Sequence, residues 1–202
     1  MIREPEVVWK KAHQILVDEG DVTYQMLEKS LQSSEIFFRK GFKDAFHFLK
    51  FNKITTLISS CGFENVIKYV FELNGIYINE SDPIHIDAHI LEFEEEGCGK
   101  LVRIHPETPL HHMSKRHLHK RHKILNQRKG HFFAIVVGDS EGDFSILRDH
   151  ENCSVLRIGF ASDHRRALIM RDEYGCDLIL IGDHSEEYEV ITKILQRMFV
   201  AK

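Results

Sequence analysis

Long apolar runs are missing from this chain. Hydrophobic residues make up 43% of its 202 positions, but they are interleaved with a 29% share of charged residues. No stretch approaches the ~20 consecutive apolar residues that a membrane-spanning helix requires, so no membrane partner is expected. A basic excess is missing too. The 27 Lys and Arg against 31 Asp and Glu leave a net charge of -4. Nothing global therefore draws the protein to a polyanion, nucleic acid is not an expected partner, and any anion site must be local. Cysteine is sparse and dispersed: Cys61, Cys98, Cys153 and Cys176 form no Cys-x-x-Cys pair. That argues against a zinc ribbon and a dithiol redox site, and predicts reduced, mostly buried thiols. The opening Met1-Ile2-Arg3-Glu4-Pro5-Glu6 has acids and a proline where a secretory leader has a basic start and an apolar stretch. A cytoplasmic location is the expectation.

With no internal repeat or low-complexity linker, organisation is read from the period of the hydrophobic pattern. Val7, Val8, Ala12, Ile15 and Leu16 recur at helical spacing, and a second amphipathic run follows through Met26, Leu27, Leu31 and Ile36. After Gly41, the positions Phe42, Ala45, Phe46 and Leu49 predict a short helix. The pattern then becomes strand, helix, strand. Ile54–Ile58 is a β-branched run ending in Ser59-Ser60-Cys61-Gly62, and Val66, Ile67, Val70 and Phe71 mark a helix stopped by Asn74-Gly75. Further strands are predicted at 84–88, 132–137, 155–160 and 177–181. A closing helix turns Tyr188, Ile191, Ile194, Leu195 and Met198 inward. Alternating strands and helices indicate an α/β protein with a Rossmann-like parallel sheet, whose ligands bind beyond the carboxyl ends of the strands.

Three polar clusters sit near such ends. In Ser59-Ser60-Cys61-Gly62, small hydroxyls and a glycine ahead of a helix suit either a phosphate or a helix N-cap. In Gly138-Asp139-Ser140-Glu141-Gly142-Asp143, two aspartates four residues apart follow a strand; hard carboxylates there suit Mg2+, and a solvated Gly-Asp turn is the alternative. The segment His111–Leu125 carries five histidines and five Lys or Arg. No histidine pair in it stands at i, i+4 and its cations would oppose a dication, so a basic helix capped by Ser114 and presenting Lys115 is favoured over a zinc site.

Taken in order, Ile58–Gly62, Lys115 and Gly138–Asp143 resemble the second, third and fourth motifs of the haloacid-dehalogenase-like phosphatases, and most closely those of the cytosolic pyrimidine 5'-nucleotidases. Val8-Trp9-Lys10-Lys11-Ala12-His13 is similar to that branch's cap helix, Phe38–Phe42 to its return from cap to core, and Val155–Phe160 to a later core strand. The resemblance implies a partial helical cap over residues 1–38 and an α/β core over 39–202. It also implies Mg2+-dependent dephosphorylation of nucleoside 5'-monophosphates. Ser60, with Cys61 and Gly62, would bind the phosphoryl oxygens, and Lys115 would neutralise the phosphate. Asp139 would ligate Mg2+ with Asp143 supporting it, and Trp9 and His13 would face the nucleoside. Val8 replaces the Glu that usually precedes the cap tryptophan, so recognition of the base by that acid does not carry over.

The family's Asp-x-Asp-x-Thr motif, whose first Asp attacks phosphorus and whose second serves as acid and base, has no counterpart in the chain. By resemblance its strand would be the middle one of the sheet, between the strand ending at Ser59 and the one ending at Gly138. A truncated nucleotidase is therefore expected, with the first core strand missing and Ser60, Lys115 and Asp139 converging at one rim. The alternatives are an inactive homologue that binds nucleotide or a protein partner, and a homo-oligomer that seals the exposed sheet edges.

Overall fold

The computed structural model describes residues 5–95, 98–118, 122–126, 129–182 and 187–200; His119, Lys120 and Arg121 of the basic segment lie outside them. The chain divides into two compact units, residues 1–111 with 188–202, and residues 112–187.

In the first unit, helices α1 (Pro5–Asp18) and α2 (Tyr24–Ser33) precede α3 (Phe42–Phe51), strand β1 (Thr56–Phe63) and α4 (Glu64–Leu73). Strands β2 (Ile84–Glu95) and β3 (Cys98–His105) follow. β1 runs parallel to β2, and β2 pairs antiparallel with β3 in the order β1-β2-β3. The β2–β3 hairpin goes beyond the five-residue strand expected at 84–88. The acids Glu92, Glu94 and Glu95 disguise its far half: they point outward and are exposed, while Leu91 and Phe93 turn inward.

Against Leu91, Leu101 and Ile104 pack Leu16 and Val17 of α1 and Leu27 of α2. The face of α1 is thus rotated from the expected one, and Val7, Val8 and Ile15 are exposed. Met26 and Ile36 are exposed as well. The turn between α1 and α2 docks on β3 through Leu101 N–H to Val22 O (2.8 Å) and a Lys100–Asp21 ion pair (2.6 Å). A second core joins Phe46, Phe71, Ile76 and Ile84 with Phe38, Phe42 and Ile58. In the closing helix, Glu187–Val200, Ile191 and Leu195 are buried as expected, whereas Met198 is exposed.

The second unit contains a 3-10 helix (His112–His117), α5 (Lys123–Asn126), β4 (Phe132–Gly138), α6 (Glu141–Phe144), β5 (Cys153–Ala161), α7 (His164–Asp172) and β6 (Leu178–Ile181). The closing helix is accordingly α8. The sheet β4-β5-β6 is parallel throughout, in register from Phe132 with Cys153 to Gly138 with Gly159. Its core is Val136, Phe144, Ala161, Ala167, Met170 and Cys176. Within β4 only Val136 is buried and Phe133 is exposed, because β4 is an edge strand. β1 is the edge of its own sheet and half-buried throughout. Cys176 is the buried cysteine, its thiol pushed up to about 11 by burial, and the other three are half-buried and outside any disulfide. Among the described residues no helix is long and apolar enough to cross a membrane.

Candidate active site

Strand β4 delivers its polar residues at its carboxyl end, where the ladder stops and the chain turns into α6. Asp143 folds back there under the turn. Its Oδ2 accepts from Asp139 N–H (3.2 Å), Ser140 N–H (3.1 Å) and Ser140 Oγ–H (2.6 Å). The bond to Ser140 N–H is the reciprocal half of a capping box. Its Oδ1 accepts from Lys115 Nζ at 2.6 Å. Both partners of that pair are 9% exposed. Burial alone would push the Asp143 carboxyl up, but the hydrogen bonds from Lys115 and Ser140, the Lys115 charge and the Asp139 N–H hold it below the ordinary 3.8. At Gly138 a Cβ would lie 2.6 Å from Asp143 Oδ2, so glycine is required by close approach. Gly138→Ala is expected to lower stability by about 1–3 kcal/mol, as overpacking does. Urea denaturation measures this, and an unchanged midpoint would show that the carboxylate has room to move.

Lys115 comes from the 3-10 helix rather than from an α-helix capped by Ser114, since Ser114 sits inside that element. Gly142 explains how close the two elements come, because a Cβ there would fall 2.5 Å from His112 O. The neighbouring Arg116 points away and forms an exposed bidentate pair with Asp149 (2.7 and 3.1 Å). Arg166, which the sequence reading missed, donates from Nη2 to Asp139 O at 2.9 Å and lies over the Tyr174 ring. The available signal was Asp163, which caps α7 through Arg166 N–H (2.8 Å) and so fixes where this arginine starts.

The Asp139 side chain is exposed, whereas the oxygens of Asp143 already meet four protein donors. Among the described residues no three His, Cys, Asp or Glu side chains gather as a metal cluster. The donor set still fits Mg2+ in its usual form, held by one or two carboxylates and otherwise by water and substrate phosphate.

Ser60, Cys61, Gly62, Trp9 and His13 all lie in the first unit. Ser60–Gly62 is not a helix cap: β1 continues to Phe63, which occupies the N-cap position of α4 without a side-chain bond. The three residues instead sit in an irregularity of the β1–β2 ladder, where Ser59 pairs with Asp87 and Phe63 with His89. Ser60 Oγ accepts from Gly62 N–H at 3.0 Å. The carbonyls of Cys61 and Gly62 are each 3.1 Å from His89 Nδ1, and Leu110 N–H donates to His89 Nε2 at 2.8 Å. His89 is 0% exposed. Its ring lies near-parallel to Trp9 (centroids 6.3 Å, 21°) and edge-on to His13 (4.5 Å, 89°). Trp9 meets His13 edge-on at 5.9 Å. His13 is buried and its Nε2 has no partner among the described residues.

Burial lowers the pKa of His13 below 6.5, and the adjacent His89 lowers it further. Burial also lowers that of His89, against the opposing pull of the Gly62 and Cys61 carbonyls and Asp87. Both groups take up protons more readily unfolded than folded. Their stabilisation is present above pH 6.5 and is lost as the pH falls below it. The urea midpoint, followed through the single tryptophan Trp9, is expected to fall between pH 6.5 and about pH 5; a midpoint that rises on acidification would contradict this assignment.

A parallel sheet carrying a Lys-Asp pair and an open aspartate at its carboxyl end is the arrangement expected of a haloacid-dehalogenase-like α/β protein. Its family is shown by sequence: the pyrimidine 5'-nucleotidase (UMPH-1) family matches residues 5–199, and the chain belongs to it. The chain is similar to a 7-methylguanosine phosphate-specific 5'-nucleotidase from Gallus gallus, 24% identical over 200 residues, covering 93% of this chain and 63% of that protein. Its fold is similar to that of a crystal structure of cytosolic 5'-nucleotidase IIIB bound to cytidine, with a TM-score of 0.66 and 18% identity. That likeness covers 98% of this chain and 65% of the other. The chain thus spans less than two thirds of the length of either relative.

Proposed function

We propose that the protein serves the dephosphorylation of nucleoside 5'-monophosphates, as the phosphate-handling part of a cytoplasmic 5'-nucleotidase. The observation that carries this reading is Lys115, a buried ammonium fixed by Asp143 at the carboxyl end of β4. A cation held there neutralises a phosphoryl group without having to be reorganised during the reaction. Asp143 sets the direction of the ammonium and ties down the Asp139–Ser140 backbone, and Arg166 holds the same turn through the Asp139 carbonyl. Asp139 would hold Mg2+, which when bound supplies Lewis-acid stabilisation of phosphoryl oxygen. Ser60, Cys61 and Gly62 would meet phosphoryl oxygens through N–H and O–H groups. Trp9 and His13, in a proposed cap over residues 1–38 with the core over 39–202, would face the base. A homo-oligomer and a nucleoside monophosphate remain the partners proposed.

The test is phosphate release by the native polypeptide, with Mg2+, from cytidine, uridine and 7-methylguanosine 5'-monophosphates. Release from at least one of them is expected, and none from all three would reject the phosphatase reading. One observation favours a second reading: no Asp-x-Asp occurs within the 202 residues, so this chain alone offers no family nucleophile. A nucleotide-binding homologue would show saturable binding in equilibrium dialysis without release.

A further inference from the structure

We infer that His89 is a positioning residue that couples the base-facing end of the nucleotide site to its phosphate-facing end. The inference rests on the nucleotidase reading and extends it to a residue outside all of the motifs. It starts from the ladder. Five residues on β1, from Ser59 to Phe63, face only three on β2, from Asp87 to His89, so the backbone of β2 cannot pair with every carbonyl of the irregular stretch. Carbonyls that leave a ladder away from bulk water need another donor. The His89 side chain takes over that task, with Nδ1 3.1 Å from both Cys61 O and Gly62 O.

Carbonyls only accept, so Nδ1 carries the hydrogen. Leu110 N–H donates to Nε2 at 2.8 Å, so Nε2 is bare. Both nitrogens are thereby committed and the ring is a neutral imidazole of one tautomer. Three things are held by one ring. Its Nδ1–H fixes Cys61 and Gly62, and with them the peptide N–H groups and the Ser60 hydroxyl beside them. Its Nε2 fixes Leu110, next to the last residue of this unit's first segment. Its face supports Trp9 and its body abuts His13. A shift of Trp9 on meeting a base is therefore transmitted through a rigid ring to the segment that meets phosphate.

Two substitutions separate these tasks in the native protein. His89→Gln keeps a donor at one pole and an acceptor at the other but removes the aromatic face. His89→Leu removes both poles and the face. The probes are cytidine 5'-monophosphate and ribose 5-phosphate, which lacks the base. For His89→Gln, KM for the nucleotide is expected to rise about three- to tenfold, the worth of an aromatic contact, with ribose 5-phosphate unaffected. For His89→Leu, kcat is expected to fall about a hundredfold on both, as misplacement of a positioning group does. If the native protein binds without turnover, dissociation constants of the same two probes from equilibrium dialysis carry the same comparison. Variants that match the native protein on both probes overturn the inference while the nucleotidase reading stands. Equal losses on both probes in His89→Gln also overturn it, since a merely structural ring would not distinguish them. A native protein that neither binds nor hydrolyses any of cytidine, uridine and 7-methylguanosine 5'-monophosphates overturns the nucleotidase reading, and the inference with it; where it acts on another of the three, that nucleotide replaces cytidine 5'-monophosphate as the probe.

Discussion

Replacing Lys115 by methionine lowers the free energy of unfolding by about 3–5 kcal/mol, the cost of leaving one member of a buried ion pair unpaired. The side chains of Lys115 and Asp143 are 11% and 13% exposed and meet at 2.6 Å, so water cannot take over the solvation of the abandoned carboxylate. The same change moves the Asp143 carboxyl upward, because two of the influences that hold it below 3.8, the Lys115 hydrogen bond and charge, disappear. In the native protein that depressed value means stability present above pH 3.8 and lost as acid protonates the carboxylate; in the variant this acid-dependent loss shrinks. Adding Asp143→Asn to Lys115→Met recovers stability, since the amide oxygen still accepts from Ser140 and Asp139 while the buried charge is gone. Equilibrium urea unfolding of the three proteins measures this. Equal stability of native and Lys115→Met proteins would mean that the pair opens to solvent.

Phe144→Ala is expected to cost about 3–5 kcal/mol, the range for truncating a buried aromatic. Phe144 is fully buried in the core with Val136, Ala161, Ala167, Met170 and Cys176, and it directly follows Asp143. Its carbonyl accepts from Arg157 Nε at 3.1 Å. It therefore anchors the turn that aims Asp143 at Lys115, and its loss should damage phosphate handling as well as stability. Cavity filling by Phe144→Leu should recover most of the stability. A thermal melt in which Phe144→Ala stays within a degree or two of the native midpoint, a shift worth at most about 1 kcal/mol, would show that the turn is held by its hydrogen bonds alone.

The strands that carry the motifs were legible because strand ends and small polar residues are local signals. Although the first strand begins at Thr56 and carries on through the motif to Phe63, the runs at 54–58 and 132–137 declare themselves through β-branched and aromatic residues. So does α3, where Ala45 and Phe46 fall on the expected face and are buried. Positions set by tertiary contact were not legible. The inward face of α1 is chosen by the hairpin it covers, and so Val7, Val8 and Ile15 face solvent while His13 is buried. Nothing in the local pattern distinguishes the Glu-rich half of β2 from a loop, because its pairing partner is β3.

The site divides in the same way. Lys115, Asp139 and Asp143 were singled out from residue type and order, yet the different surroundings of the two aspartates depend on which one folds back to the lysine. Asp143 is buried and fully bonded; Asp139 is open. Arg166 and His89 stand in no motif. His89 is defined by a gap in a ladder 26 to 28 residues away in sequence, namely the span from His89 back to Phe63 and Cys61, and a single sequence carries no local trace of such a gap.

The account turns on Lys115 acting on phosphate through its charge while Asp143 holds it in place. The measurement that separates the two is phosphate release, from whichever of cytidine, uridine and 7-methylguanosine 5'-monophosphates the native protein hydrolyses best, by the native protein and by the folded Lys115→Met/Asp143→Asn variant, side by side. The prediction is release by the native protein and a loss of about a hundredfold or more in the variant despite its recovered stability, on the scale of removing a preorganised charge-stabilising group. A folded variant that releases phosphate at the native rate would contradict it.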